Sequence, residues 1–424
     1  MAIAPDFYDP ATETMSASDR TTYTNYHLRR FVGHAYRNAP SMKNWLDKAG
    51  VKPEHIRTVK DLEKIPLIRR SDIMQAQQAN PPFGGFLGVP RTKVDRIAIS
   101  AGPSYFPQQS AIWGKAVAPA YYAMGFRPGD VVVVTFSYQY MASLGGDAGI
   151  RMLGATVIAS GTGNTEQQVQ LMRQTRVTGF YGGPGFLVNI IKKAEEQGLD
   201  FKRDFSLRVA LLAAEMVPQA TRKLLEKDYG LVCSEAYGTS EGQLAFECPA
   251  HNLLHVADTQ IIEIVDPATG KQKGPGEVGE MVGTTFHNTA FPLIRFATGD
   301  LSYYTDEPCP CGRTSRRIAR ILGRVEDVTK IKGVFVYPRQ VAEVISRFPE
   351  IGRFQVAVTR PEHKDIMTLK AELKDGPVNK DKLIESVNLA IQETCRIRVD
   401  QFQFVPSGTI PEQAKSILDE RKWD

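Results

Sequence analysis

Long apolar runs are missing from this chain. Nothing in it approaches the roughly 20 consecutive apolar residues that a membrane helix needs. Its first residues, MAIAPDFYDPATETMSASD, have neither a basic start nor an apolar centre, so no secretory signal is expected. A soluble cytoplasmic protein without a membrane partner is the resulting expectation. Cysteine is scarce: five residues, an odd number spread over the chain, do not resemble a disulfide framework. No dense Lys or Arg block occurs. The net charge of +5 fits a solvated mixed surface with a weak preference for anionic ligands, and gives no sign of a nucleic-acid partner. Internal repeats and low-complexity tracts are also lacking.

What is present is ordinary for a globular protein, with 42% hydrophobic and 23% charged residues. The 424 residues suffice for two or three domains with a sizeable core. Residues 21–75 read as helical segments, from YHLRRFVGHAYRNAP to VKDLEKIP. From about residue 95, short β-branched runs bounded by Gly alternate with helix candidates. VVVVTF (131–136), ATVIAS (155–160) and RVALLAAE (208–215) suit buried parallel strands. Met141–Leu153, EQQVQLMRQT and QATRKLLEKDYG are the helices between and after them. This spacing predicts a doubly wound α/β layer. IIEIVDPATG, GEVGEMVGTTF and LIRFATGDLSYY predict a small, partly antiparallel β-subdomain over about 245–322. A shorter α+β unit follows. The charged stretch Arg324-Val325-Glu326-Asp327 marks the boundary, giving domains 1–325 and 326–424.

Certain residues offer chemistry. Tyr237-Gly238-Thr239-Ser240-Glu241 combines a ring that can cover a purine, a Gly that permits close backbone approach and two hydroxyls for phosphate oxygens. Its carboxylate can hold Mg²⁺. Asp300 has the acceptor pair for two ribose hydroxyls, and Arg324 is a fixed cation for a phosphate or ribose oxygen. A turn aspartate and a surface arginine are the plain alternatives. Cys309-Pro310-Cys311-Gly312 places two thiols one residue apart. With Cys248 and a histidine they make a tetrahedral Zn²⁺ set of structural type. His251 and His255 compete for the fourth place. His255 is preferred because a strand onset at Leu254 would fix its ring. Reduced, inert cysteines are the alternative. Phe136, Tyr138, Tyr140 and Phe186 are aromatic candidates for a substrate pocket, Tyr138 and Tyr140 foremost since they follow a buried strand.

YGTSE, EIVDPATG, GEVGE, PLIRFATGD, CPCGRT, ILGRVED and KIKGVFVYP occur in the order found in phenylacetate–coenzyme A ligases. LGATVIASGTGNTEQQ and LLAAEMV also resemble segments of that family. The resemblance covers nearly the whole chain and implies a large adenylate-forming domain with a smaller, mobile C-terminal lid. It implies an AMP-forming ligase that turns an aromatic or arylacetic acid into an acyl-adenylate and then a thioester. ATP, Mg²⁺ and coenzyme A would be its cofactors, and a homodimer is compatible with it. By position, Tyr237, Ala214 and Glu215 would line the adenine site with Gly238. Thr239 would contact phosphate, Glu241 would hold Mg²⁺, Asp300 would bind ribose, and Arg324 would stand beside the hinge residue Glu326.

Two segments depart from the family. Its phosphate loop, a stretch like SSGTTGKP, exposes backbone N–H groups and a Lys. This chain has SAGPSYFP over 100–107, which keeps Ser100, Gly102 and Ser104 but puts Pro103, Tyr105 and Phe106 in the places of N–H, Gly and cation. A lost charge-assisted phosphate contact weakens binding by one to two orders of magnitude, ~1.5–3 kcal/mol. The tail SGTIPEQAKSILDERKWD is short where the family has its catalytic lysine. Lys415 is the candidate, and Gln413 takes that place on another alignment. A relative with a different acid or acceptor, or a non-catalytic nucleotide or acyl-CoA binder, are the alternative readings.

Overall fold

The computed structural model describes residues 6–100, 104–214, 217–325, 329–332, 334–361, 365–374 and 376–421. The chain divides into two compact units, 1–298 with 303–320, and 299–302 with 321–424. Among the described residues, no helix is long and apolar enough to cross a membrane.

The first long helix of the first unit is α1 (Ala17–Asn38), capped by the Ser16 hydroxyl, which accepts from the Asp19 N–H at 3.1 Å. Leu28, Phe31, Val32 and Ala35 fall on one face and are buried. VKDLEKIP forms a 3₁₀ turn, Val59–Lys64, rather than an α-helix. Helix α2 (Arg70–Ala79) leads to a hairpin of β1 (Arg96–Ile99) and β2 (Tyr105–Gln108).

The alternating part then runs α3 (Ser110–Ala123), β3 (Val131–Val134), α4 (Met141–Met152), β4 (Thr156–Ala159), α5 (Thr165–Gln174), β5 (Gly179–Gly182), α6 (Pro184–Glu196) and β6 (Val209–Leu212). Strands β7 (Val232–Gly238), β8 (Leu244–Glu247) and β9 (Leu254–Val256) follow. QATRKLLEKDYG is helical only over Gln219–Lys223 and widens into a π turn at Leu224–Asp228. The widening begins two residues after Arg222, a buried cation drawn into ion pairs.

Four strand pairs join β4, β3, β5, β6 and β7 in parallel order, and β7, β8 and β9 continue antiparallel. The β-branched runs lie in the middle because both faces of a parallel sheet are covered. Gly182 is required where β3 and β5 meet: a Cβ there would stand 1.9 Å from the Thr135 hydroxyl. Strands β10 (Gln260–Val265) and β11 (Gly279–Thr285) form an antiparallel pair whose residues are all buried, so this pair lacks a wet face. Their carboxylates are matched accordingly. Glu263 is paired with buried Arg295 at 3.1 Å and Glu280 with Arg69 at 2.9 Å.

Strand β12 (Phe296–Ser302) runs into the second unit. After it come β13 (Tyr304–Thr305) and β14 (Arg317–Ile318), which extend the large sheet at β9, and then β15 (Gly323–Arg324). The second unit is an α+β domain. Its sheet orders β16 (Ile351–Thr359), β17 (Ile366–Leu373), β18 (Gln401–Val405) and β19 (Ile417–Asp419) as β18-β17-β16-β19. Helices α7 (Pro338–Ile345) and α8 (Lys380–Cys395) contribute Val341, Val344, Val387 and Ile391 to one core with Val356, Met367 and Leu369. The fold is thus two-domain α/β, as the sequence implied.

Asp365 organises this domain's charge. It accepts from Arg360 Nε at 2.7 Å, Arg421 Nη1 at 3.1 Å and the Lys332 N–H at 2.9 Å. The Arg360 hydrogen bond foremost, working against burial, pulls its pKa down to about 2. A carboxylate depressed in the folded state stabilises fully above its unfolded pKa, and that contribution disappears as pH falls through the folded value. Asp365→Asn should therefore lower the unfolding midpoint by a few degrees at pH 7. The difference from the parent should shrink between about pH 4 and pH 2, as read by circular dichroism melts.

Candidate functional site

In an open parallel sheet, ligands lie outside the carboxyl ends of the strands where the strand order reverses. Here β4 and β5 flank β3, so the reversal falls at β3. Phe136, Tyr138 and Tyr140 follow β3, Ala214 follows β6, and Tyr237 and Gly238 end β7. The sheet topology therefore puts most sequence-predicted groups of this unit along one edge. Ala214 adopts φ 72°, unusual for a residue with a Cβ and a mark of a constrained turn. Glu215, beside it, lies outside the described residues, as do Gly102 and Glu326.

The turn after β7 is closed by its own hydrogen bonds. The Thr239 N–H donates to Gln243 O at 3.1 Å, and its hydroxyl donates to the Gln243 amide oxygen. Gly242, at φ 114°, lies against Trp113, whose ring meets His287 edge-on at 4.8 Å. Burial pulls the His287 pKa down to about 4, which keeps that imidazole neutral at pH 7. Sequence reasoning passed over both residues.

Glu241 is 1% exposed. Arg70, the first residue of α2, takes both of its oxygens: Nε donates to Oε1 and Nη2 to Oε2, each at 3.0 Å. Burial raises the carboxyl's pKa, and the guanidinium opposes that rise. The Arg70 side chain is itself 42% exposed. This partner was missed, although a signal existed. Arg69-Arg70 places two cations at a helix N-terminus, against the helix dipole, and such cations need carboxylates elsewhere.

In the 100–107 segment the Ser100 N–H donates to Ser104 O at 3.0 Å, and residues 101–103 lie outside the described residues. Ser100 and Ser104 are buried, and neither hydroxyl has a partner among the described residues. The Ile99 N–H donates to Gln139 O at 2.8 Å, which brings the segment following β3 alongside. There Tyr138 carries a third buried hydroxyl without a partner among the described residues, its pKa pushed up by burial. Buried polar groups are nearly always satisfied, so unmatched hydroxyls at a strand-end edge are suited to receive a ligand's oxygens. Phe136 packs edge-on to Tyr181 at 5.1 Å, Tyr140 is exposed, and Phe186 is partly buried against the core behind the sheet. Phe106 is fully buried against Phe291, so it belongs to the core and offers a ligand nothing.

In the second unit, Asp300 and Arg324 stand opposite one another in the β12–β15 ladder, their charged ends 3.8 Å apart. Gly299 must be glycine: its φ is 78°, and a Cβ would meet Arg324 Nη2 at 2.9 Å. Lys415 is exposed in the turn before β19, where its carbonyl accepts from Gln355 at 3.0 Å; Gln413 is exposed nearby.

The cysteine cluster assembles from sheet loops of the first unit. Cys248 follows β8, His255 lies within β9, and Cys309 and Cys311 lie between β13 and β14. All four are buried, with their ligand atoms within 4.8 Å of one another. Cys248 Sγ is 3.6 Å from Cys309 Sγ, and Cys311 Sγ is 3.4 Å from His255 Nε2. Bonds of about 2.3 Å to sulfur from a tetrahedral centre put donors roughly 3.7 Å apart, close to these edges. Ser315 Oγ stands 3.1 Å from His255 Nδ1, which leaves Nε2 for the cluster. His251 is engaged elsewhere. It meets Arg222 at 3.0 Å and Glu247 at 3.3 Å in a buried network that also holds Glu235 and Arg320. The Cys248 thiol's hydrogen bond pulls the Cys311 thiol down to about 3, in thiolate territory.

Comparisons with known proteins bear on the fold and the family. Residues 108–286 match the family model described as AMP-binding enzyme, and residues 333–421 match that of the AMP-binding enzyme C-terminal domain. A phenylacetate-coenzyme A ligase of Thermus thermophilus is 33% identical over 382 residues, 87% of this chain and 84% of that protein. One from Escherichia coli K12 is 33% identical over 404 residues, 91% and 87% of the two chains. An open conformation of a 2-hydroxyisobutyryl-CoA ligase, in complex with its acyl-AMP and CoA, shares the fold with TM-score 0.88 at 24% identity. That match covers 99% of this chain and 96% of the other. The chain belongs to the AMP-binding enzyme family, and within it is a ligase related to phenylacetate-coenzyme A ligases and to other AMP-forming acyl-CoA ligases.

Proposed function

We propose that this chain activates an aromatic or arylacetic carboxylic acid and delivers it to coenzyme A. The observation that carries the reading is the edge at β3, β6 and β7. It gathers an aromatic segment, unmatched hydroxyls and a buried carboxylate where α/β sheets take ligands. The aromatic choice rests on Phe136, Tyr138 and Tyr140, and on the acid in the names of the curated relatives.

In the reaction, an oxygen of the substrate carboxylate attacks the α-phosphate of ATP and pyrophosphate leaves. The CoA thiol then attacks the acyl carbon, and AMP leaves as the thioester forms. Tyr237 and Ala214, with Gly238, cover the adenine, and Asp300 takes the ribose hydroxyls with Arg324 beside it. Ser100 and Ser104 bond phosphate oxygens, and Thr239 joins them when its hydroxyl turns from Gln243. Lys415 is the cation offered to the reacting carboxylate, whose developing charge it would stabilise. Glu241 presents the oxygen donors that a hard dication takes, and Mg²⁺ there would offset phosphate charge. Cys248, His255, Cys309 and Cys311 would hold Zn²⁺. Their four places are filled by protein, so this metal would brace the fold and leave no open position for chemistry.

Pyrophosphate release and thioester formation across a panel of acids test the reading. Phenylacetate and benzoates should outpace 2-hydroxyisobutyrate and fatty acids by about 10-fold or more, the scale set by pocket shape. Preference for the small hydroxy acid would overturn the aromatic assignment, and absence of turnover with every acid would overturn the activity.

A further inference from the structure

The phosphate loop of this chain has no cation, and its Phe106 is committed to the core. Helix α2 touches the same loop. Gln77 closes a reciprocal pair with the Tyr105 backbone, donating to Tyr105 O at 2.8 Å and accepting from the Tyr105 N–H at 3.0 Å. Seven residues earlier, about 10 Å along the helix, stands Arg70. One rigid element thus carries both the brace of the defective loop and a guanidinium resting on Glu241.

That guanidinium has somewhere to go. It is 42% exposed, whereas its partner carboxylate is buried. Arg69 stays tied to Glu280 through two bonds of 2.9 and 3.1 Å, so the helix end remains anchored if Arg70 moves. A dication at Glu241 and a guanidinium on the same two oxygens repel one another, and the arginine is the group free to yield.

We propose that Arg70 supplies the positive charge that the 100–107 loop lacks. It holds Glu241 before nucleotide arrives, and passes to the nucleotide's outer phosphates once Glu241 is given over to Mg²⁺. The inference rests on the nucleotide site set out under the proposed function. Arginine suits the task because its planar fork matches carboxylate and phosphate oxygens alike.

Calorimetric binding of α,β-methylene-ATP with Mg²⁺, set beside binding of AMP, tests this without turnover. Arg70→Gln should weaken the triphosphate analogue by about 10- to 100-fold and leave AMP within about twofold, because AMP has no outer phosphates. Arg70→Lys should recover part of the loss. Equal weakening of both nucleotides would show a merely structural role and overturn the proposal, as would no weakening of either. If Arg70→Gln fails to fold because Glu241 is left buried and unpaired, the same comparison is made between Glu241→Gln and the double variant Arg70→Gln, Glu241→Gln. An identical analogue affinity in those two overturns the proposal, and a further 10-fold loss in the double variant supports it. A parent protein that binds AMP but not the analogue sinks this inference alone. One that binds neither removes the nucleotide site on which it rests.

Discussion

Replacing Cys309 and Cys311 together by serine is expected to strip a stoichiometric zinc from the protein and lower its unfolding midpoint by roughly 10 °C. The size follows from what the cluster joins. Cys248 directly follows β8 and His255 lies within β9, consecutive strands of the large sheet, whereas the two substituted cysteines lie in the loop that joins β13 to β14. That loop in turn fastens the start of the chain. Arg313 pairs with buried Glu13 at 2.7 Å, the Thr314 N–H donates to Glu13 O at 3.0 Å, and its hydroxyl donates to Met15 O at 2.7 Å. Arg313 also donates to Asp6 O at 2.8 Å. In the variant one buried thiol and a buried imidazole are left without the metal that would satisfy them. The loop should open, and residues 6–20 with it. Limited proteolysis should then cut the variant first within that segment, while the parent resists. Metal analysis of protein purified without chelator is the direct check. Parent protein with no zinc, or a variant with the parent's midpoint and cleavage pattern, would show the cluster to be packing alone.

How far the sequence reached depends on whether a feature is local. The β-branched runs became β3, β4 and β6, and Met141–Leu153 and EQQVQLMRQT became α4 and α5, because pattern and burial are set within a few residues. Asp300 and Arg324 were recognised separately, and the structure makes them direct partners across one ladder. Choice of partner over long distances was not legible. Nothing around Glu241 announces Arg70, 171 positions away, and nothing in QIIEIV or GEMVGTT announces that β10 and β11 bury both faces. The histidine question shows both sides. A strand onset singled out His255, while the engagement of His251 by Arg222 and Glu247 depends on a network drawn from four separate segments. Phe106 is the opposite case, since it read as a missing cation locally and proves to be a core residue.

The largest effect on activity is expected from Glu241→Gln: pyrophosphate release should fall by about 10²-fold or more, the scale set by removing one electrostatic stabiliser of a transition state. Glutamine keeps the shape and can still accept from Arg70, so the side chain's place in the packed turn survives. The carboxylate's charge, the feature a hard dication requires, does not. The arginine left behind is 42% exposed and finds water, so the unfolding midpoint should move by only a few degrees. Affinity for AMP should hold, since adenine and ribose contacts are assigned to Tyr237, Ala214, Gly238 and Asp300. Loss confined to the Mg²⁺-dependent step separates this residue from one that merely braces the turn. Glu280→Gln supplies the control. It removes the matching carboxylate under Arg69, the residue that precedes the same helix, and has no assigned part in the chemistry. It should cost stability with turnover near the parent's. Should Glu241→Gln turn over like the parent with unchanged Mg²⁺ dependence, the metal's carboxylate must be sought elsewhere, and the pairing with Arg70 becomes a structural ion pair like its neighbour.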